Sequence, residues 1–519
     1  MRKYLTYLLA LVMILSLAAC GQPEEPADPT EPDEPADDVD QTFVVALETD
    51  IVQFDPVQIQ DATTSSVAYQ IYERLLDRDH DGSYIGRLAE SYDVDETGIE
   101  WTFYLRQGVT FTDGSEFDAH VAKWHFQRAI SDEDSRYRAP FEIIEEIEVV
   151  DDYTLVFHLT EPSAPFIDNT IMSNAGFIPS QKAYEEKGDD FAHEPVGTGP
   201  FMWSEWTPGT KVELAQNPDW WGDGPKLDTL IYRVIPEAST QVIELETGGV
   251  HLITRGSQED LERLEANQDF SVTVSPAFRI RKLEMNVTRE PFDDVRVRRA
   301  INYAIDAPAI VEAIAAPLVQ YTDSVVPVES WAYAGEGVLR DYPFNPERAL
   351  ELLEEAGQSD VSFNLNSPDG RYYMDKEISE AVQHQLDEVG INASIQVKEW
   401  GAFIDEVFAS EFDMIYLGWN QTSPEPSLFT DALVGTGGRG NFAGYSDPEI
   451  DDLLAKAMAT PDPDERKPHY VEVQKLVNEN AWYVHLGNEA LVWITPASIS
   501  GFTPSASKAN DFTQLYLTE

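Results

Sequence analysis

Along residues 99–106 apolar and polar positions alternate, with Trp101, Phe103 and Leu105 on one face and Thr102, Tyr104 and Arg106 on the other. A period of two predicts a strand with one buried and one wet face, and residues 153–159 repeat the pattern. Later stretches change period. In 295–305 the positions Val297, Ile301, Ala304 and Ile305 share a helical face, and Pro308 predicts a stop because it cannot continue the helix. In 376–389 the set Ile378, Val382, Leu386 and Val389 does the same, with Gly390 placed as the C-terminal stop. Asp447-Pro448-Glu449 supplies a cap, a first-turn proline and a dipole-matching acid for another helix. A strand over 413–419 runs into a long polar loop, the kind of strand end where α/β sheets gather ligands. Strand-like and helix-like stretches alternate without a fixed period, which argues against a repeat protein and predicts an α/β architecture.

The first twenty residues follow another logic. Arg2 and Lys3 precede an apolar run over 4–17 that is short for a membrane span, and Ala18-Ala19 lead into Cys20, the only cysteine in the chain. Leu17-Ala18-Ala19-Cys20 resembles a bacterial lipobox, which implies a signal peptide over 1–19, cleavage before Cys20 and lipidation of Cys20. The expected location is extracytoplasmic, on the membrane through the lipid alone. Residues 20–42 read as an acidic, proline-rich tether. From 21 to 40 there is no lysine or arginine and no apolar periodicity. Extended at about 3.1 Å per residue, such a tether reaches roughly 60 Å. The folded body should begin near Phe43.

The 519-residue chain leaves enough length for two or three domains. With 42% hydrophobic and 11% aromatic residues the body has the makings of an ordinary core, and no second run of about eighteen apolar residues occurs. Because Cys20 is committed to lipid, no intramolecular disulfide or cysteine metal site is expected. The 94 acidic and 35 basic residues give a formal net charge of −59. Such a surface repels nucleic acid and anionic headgroups. Either the host lives in concentrated salt or the surface attracts cationic ligands, and the even spread of acids along the chain favours salt.

No pattern for catalysis emerges. The chain lacks a Gly-x-Ser-x-Gly elbow, a His-Glu-x-x-His helix and a Walker-type loop. His120 and His125 are the closest histidine pair, but five residues along a helix set them about 140° apart, a poor start for a metal site. Gly435-Thr436-Gly437-Gly438-Arg439-Gly440 spells Gly-x-Gly-x-x-Gly without a buried strand before it or a good helix start after it, so it reads as a flexible loop. The chain is expected not to be an enzyme and to need no cofactor or metal.

Four blocks resemble the solute-binding proteins of peptide and nickel ABC importers (bacterial solute-binding protein family 5, dipeptide- and oligopeptide-binding-like lipoproteins). They are Leu88-Ala89-Glu90-Ser91 with the stretch from Trp101 to Gly114, then Gly197-Thr198-Gly199-Pro200-Phe201 with Asn217-Pro218-Asp219-Trp220-Trp221-Gly222, then 295–306, and finally 444–451. Turns, strands and caps account for their residues, so they identify the fold and not the ligand. The resemblance implies an α/β, two-lobed periplasmic-binding-protein-like fold (class II, cluster C). Residues 43–77, 194–282 and 488–519 would build lobe I, 78–193 a subdomain inserted in it, and 283–487 lobe II. Two chain crossings would act as a hinge that closes on the ligand, the closed form being what the ABC permease subunits read. A monomer is expected.

The same resemblance suggests the ligand site. Arg371, in Gly370-Arg371-Tyr372, matches the arginine that reads a carboxylate in dipeptide-binding relatives, where a planar fork suits two oxygens. Residues 418–426 match the family's ligand loop, with Trp419 as an apolar cleft wall, Asn420 beside it and Glu425 as a candidate acid. Thr422 stands where peptide binders hold an aspartate for the ligand's ammonium, and a neutral hydroxyl cannot replace that charge. The leading expectation is a receptor for a peptide or peptide-like solute. A nickel-chelate receptor is the alternative within the family, and a secreted hydrolase the alternative outside it.

Overall fold

The strand Arg279–Met285 is buried on both faces because helices cover both, although four of its seven residues are charged. Leu283 and Met285 enter a core with helices Val295–Ala304, Ala307–Ile314, Pro346–Ala356 and Asp375–Glu388. Ile280 enters a second core with helices Trp400–Phe408, Ser427–Leu433, Pro448–Met458 and Pro463–Glu479. Its neighbour Met414–Asn420 divides the same way, Met414 and Tyr416 against Ile415 and Leu417. These strands are the middle of a six-stranded mixed sheet in the order Val319–Gln320, Tyr483–Glu489, Arg279–Met285, Met414–Asn420, Ser362–Pro368, Asn392–Lys398. A sheet buried on both faces usually reads as near-continuous apolar runs; Met414–Asn420 does so, whereas Arg279–Met285 buries Arg281, Lys282 and Glu284 among its apolar residues.

These features come from a computed structural model, which describes residues 39–79, 83–358, 360–368, 370–421, 423–506 and 509–518. Residues Asp40–Leu517 form one compact unit. The predicted signal peptide, Cys20, most of the predicted tether and Thr422 lie outside the described residues.

A second sheet has the order Thr42–Leu47, Thr229–Val234, Lys211–Gln216, Phe201–Thr207, with only its first pair parallel. Beside it, Phe270–Ser275 pairs antiparallel with Leu491–Pro496. The chain passes between this region and the six-stranded sheet twice, from Phe270–Ser275 into Arg279–Met285 and from Tyr483–Glu489 into Leu491–Pro496. A third, antiparallel sheet (Ala89–Val94, Glu100–Leu105, Thr154–Leu159, Ile144–Asp151) is backed by helix Ala119–Ser131, whose Phe126 meets Phe157 edge-on at 5.1 Å.

Local expectations hold where burial follows the period. Trp101, Phe103 and Leu105 are buried, Asp447 caps the helix that Pro448 opens, and Gly390 follows a helix end at φ +77°. The expected stop before Pro308 is present, and the proline has a second role as well. The helix before it ends at Ala304, four residues earlier, and Pro308 occupies the first turn of a new helix capped by the Asp306 carboxylate, which accepts from the Ala309 amide. A proline is as good a start as a stop, since the first-turn amide has no partner to lose.

Candidate functional site

Arg281 sits at the centre of the six-stranded sheet with its side chain 1% exposed. Burying a guanidinium requires partners, and neighbouring strands supply them. Its Nε donates to Glu489 at 2.7 Å and its Nη1 to the Asn420 side chain at 2.9 Å. Its plane lies 4.4 Å from the Tyr372 ring centroid. Gly418 is the residue directly opposite Arg281 across the ladder. A Cβ there would overlap Nη1 of Arg281 and fall 2.8 Å from the Tyr372 ring, so glycine makes the space that the guanidinium fills.

Glu489 is shared. Arg279 Nη1 reaches its other oxygen at 3.3 Å, and the Tyr373 amide lies 3.4 Å away. Burial alone would raise the Glu489 carboxyl, but Arg281 and Arg279 outweigh it and hold the carboxyl below its ordinary value. Arg279 also feels Glu48, which pairs with Arg255 at 3.4 Å, and is repelled by Arg371.

Arg371 lies on a loop pinned from below. The amides of Gly370, Arg371, Tyr372 and Lys376 all donate to the buried Asp375 carboxylate at 2.9 to 3.1 Å. The loop therefore has one shape, and it presents an exposed Arg371 whose guanidinium stacks 4.6 Å over the Trp400 ring. Arg371 has no acidic partner among the described residues.

Trp419 is half-buried, its indole N–H donating to the Leu428 carbonyl at 2.9 Å. The glycine-rich segment packs on it: a Cβ at Gly440 would lie 2.7 Å from the ring, and the Arg439 guanidinium sits 5.1 Å from its centroid. Residues 435–440 are a loop, as expected, in which Gly440 and Arg439 pack against Trp419 while Thr436 and Gly437 are exposed. Asn420 is exposed and turns its oxygen to Arg281.

Glu425 has a different partner from the one sequence suggests. It is 2% exposed and forms a two-pronged pair with Arg466, which Tyr470 also holds at 2.9 Å, while the Ser427 amide donates to it at 3.2 Å. With both oxygens engaged, Glu425 anchors the loop. The later part of the loop, 423–427, is not exposed. Ser423, Glu425 and Ser427 are buried because the segment around Ile167–Ile171 covers them. The Ser423 hydroxyl donates to Asp168 at 2.5 Å, and Asp168 is also held by Arg78 at 2.8 Å and by the Tyr84 hydroxyl. A further contact joins the Ala164 amide to the Met458 carbonyl at 2.9 Å.

His125 is fully buried, with Nε2 2.7 Å from the Ala175 carbonyl, and burial pushes its pKa down to about 3. His120 is exposed on the same helix. No group of three or more potential metal ligands occurs among the described residues.

Sequence reasoning missed Arg281, Glu489, Arg439 and Arg466. Gly418 makes room for Arg281, but the two lie 137 residues apart and their pairing leaves no signal in the sequence. The others need contacts between distant segments.

The chain belongs to the bacterial extracellular solute-binding proteins, family 5, whose middle region matches residues 83–441. It is the substrate-binding component of an ABC importer, works outside the cytoplasm, and belongs to a family of binding proteins, not enzymes. It is 32% identical over 471 residues to the glutathione-binding protein GsiB of Salmonella paratyphi A, a match covering 88% of this chain and 91% of that one. Among solved structures, the periplasmic binding protein DppA from Helicobacter pylori in complex with peptide STSA superposes with a TM-score of 0.81 at 28% identity, covering 92% of this chain and 98% of that one. A dipeptide-binding protein from Pseudoalteromonas in complex with Met-Leu gives 0.81 at 25% identity, covering 92% and 100%. The two-lobed α/β fold expected from the four blocks is therefore the fold of this chain.

Proposed function

We propose that this chain captures a peptide or peptide-like solute with a free carboxylate and delivers it to a membrane permease by hinge closure. The observation that carries this reading is Arg371, an exposed guanidinium on a rigid loop beside Arg279, without an acidic partner among the described residues. In a chain with a net charge of −59, a positive site left open to solvent suits an anionic ligand group. Arg371 pairs the ligand carboxylate, Trp419 and Asn420 line the cleft near it, and Glu425 shapes the loop through Arg466. Thr422 replaces the acid that would meet an α-ammonium, which points to solutes whose amine is absent or placed elsewhere. The names of the glutathione- and peptide-binding relatives support the same class of ligand.

The proposed lobes are 43–77 with 194–282 and 488–519, and 283–487, with 78–193 inserted in the first. The two chain crossings at 276–278 and at Ala490 serve as the hinge. Contacts of Asp168 with Ser423 and of Ala164 with Met458 then belong to the closed state. Lipidation of Cys20 and the acidic tether keep the monomeric receptor near its permease. The test is native mass spectrometry of the purified protein. A co-purified peptide-like acid released chemically intact supports the reading, whereas a ligand lost only on adding a chelator would favour a nickel complex.

A further inference from the structure

Arg439 is exposed, yet enough protein surrounds its guanidinium for desolvation to lower its pKa. A side chain that is both wetted and enclosed lines a crevice and does not stand on a convex surface. Two regions distant in the chain form the walls. One is Trp419, whose ring centroid lies 5.1 Å from the guanidinium, with Gln421 beside it. The Gln421 amide, turned so that its oxygen meets donors, accepts from Arg439 at 3.1 Å. The other wall is Tyr137, the one titratable group among the described residues that acts on Arg439. Its hydroxyl donates to the Ile59 carbonyl at 2.6 Å and accepts from the Asn174 amide at 3.1 Å, so it is a fixed, neutral neighbour.

Arg439 therefore carries a charge partly stripped of water, with no carboxylate paired to it among the described residues. Asp61, which also acts on Tyr137, caps helix Ala62–Ile71 by accepting from the Thr64 amide at 2.7 Å and forms no ion pair with Arg439. A desolvated, uncompensated cation is costly. An entering anion offsets that cost through a charge-assisted pair, for which the guanidinium fork suits the two oxygens of a carboxylate.

Arg371 lies at the same end of the sheet. Its loop follows strand Ser362–Pro368, which runs parallel to the neighbouring strand Met414–Asn420 that ends in Trp419 and Asn420. Both arginines thus sit beyond the C-terminal ends of two adjacent parallel strands, where ligands of such sheets gather.

We propose that Arg439 is a second anion-reading residue, and that the captured solute carries a second carboxylate, which Arg439 pairs while Arg371 holds the first. This rests on the receptor reading and narrows its substrate class to acidic peptide-like solutes. A neutral peptide would leave Arg439 uncompensated in the crevice.

The site is read first without any peptide. In the full chain carrying isotope-labelled arginine, the Arg439 Nε–H resonance is identified by its loss in Arg439→Gln. It should shift saturably with glutarate at about 10 mM, where the resonance of the exposed Arg340 barely moves, and should ignore the diamide glutaramide. Selection of solutes is then read by calorimetry with the tripeptides Glu-Ala-Ala, Ala-Glu-Ala and Ala-Ala-Glu, each beside the same peptide with Gln in place of Glu. The acid form of at least one pair should bind more than about tenfold more tightly in the natural chain, and the preference should fall below about twofold in Arg439→Gln. The unliganded melting temperature of that variant checks the fold. An Arg439 resonance that responds to glutarate no more than Arg340, Gln forms that bind as well as Glu forms, or an acid preference that survives Arg439→Gln overturns the proposal. In the last two cases peptides are still captured, so the receptor reading stands. If no peptide binds, that reading fails, while the glutarate titration still decides whether Arg439 reads anions.

Discussion

The Ser423 hydroxyl donates to the Asp168 carboxylate at 2.5 Å across a separation of 255 residues. Arg78 and Tyr84 hold that carboxylate from the other side. Asp168 is thus fixed by its own region and offers its remaining capacity to the loop after strand Met414–Asn420. Such a bond exists only while the two regions are together, so under the proposed hinge closure it is a lever on the closed state.

Ser423→Ala removes this bond and leaves Arg78 and Tyr84 on Asp168. A hydrogen bond to a charged group contributes about 1.5–3 kcal/mol, part of which water restores in the open form. Solute affinity should fall about five- to thirtyfold by calorimetry, with the unliganded melting temperature nearly unchanged. Unaltered affinity would remove the contact from the closing mechanism.

Gly418→Ala tests the space claimed by Arg281. The added methyl meets a guanidinium that cannot swing out to solvent, being held by Glu489 and Asn420. Overpacking of this kind costs about 1–3 kcal/mol. The denaturant midpoint should drop accordingly, and a variant as stable as the natural chain would show that Arg281 has another place to go.

Glu73 provides a pH test. Burial pushes its carboxyl from 4.5 up to about 7, although the Trp221 and Trp220 indoles donate to it at 2.8 and 3.4 Å. Between those pH values the unfolded chain gives up the proton and the folded chain keeps it, so this group makes stability decline as pH rises through the window. In Glu73→Gln that contribution is absent. The unfolding free energy of the variant relative to the natural chain should therefore grow by about 2–3 kcal/mol from pH 5 to pH 8. A difference independent of pH would contradict the buried, protonated state.

What the sequence reveals depends on the distance over which each feature is decided. Strand Glu100–Leu105 and helix Asp375–Glu388 rest on periodicity within a dozen residues, and both are legible. Pro308 is ambiguous even locally, because the same ring ends one helix or begins the next. Glu425 looks like an available acid until Arg466, 41 residues on, is folded against it. Residues 423–427 look wet in the sequence, but Asp168 and its neighbours bury them from far away in the chain. Arg371 was legible through family resemblance alone, while its lack of an acidic partner needed the structure.

The most direct test of the central claim pairs a change in the ligand with a change at Arg371. A thermal-shift panel of glutathione and two- to four-residue peptides identifies the tightest binder, since saturation at about a hundred times the dissociation constant stabilises the fold by about 2.7 kcal/mol. That peptide and its C-terminal amide are then titrated calorimetrically into the natural chain and into Arg371→Ala. The account predicts that amidation and Arg371→Ala each weaken binding by more than about tenfold, and that amidation has little further effect once Arg371 is gone. Equal affinity for acid and amide in the natural chain, or no peptide binding at all, would contradict it.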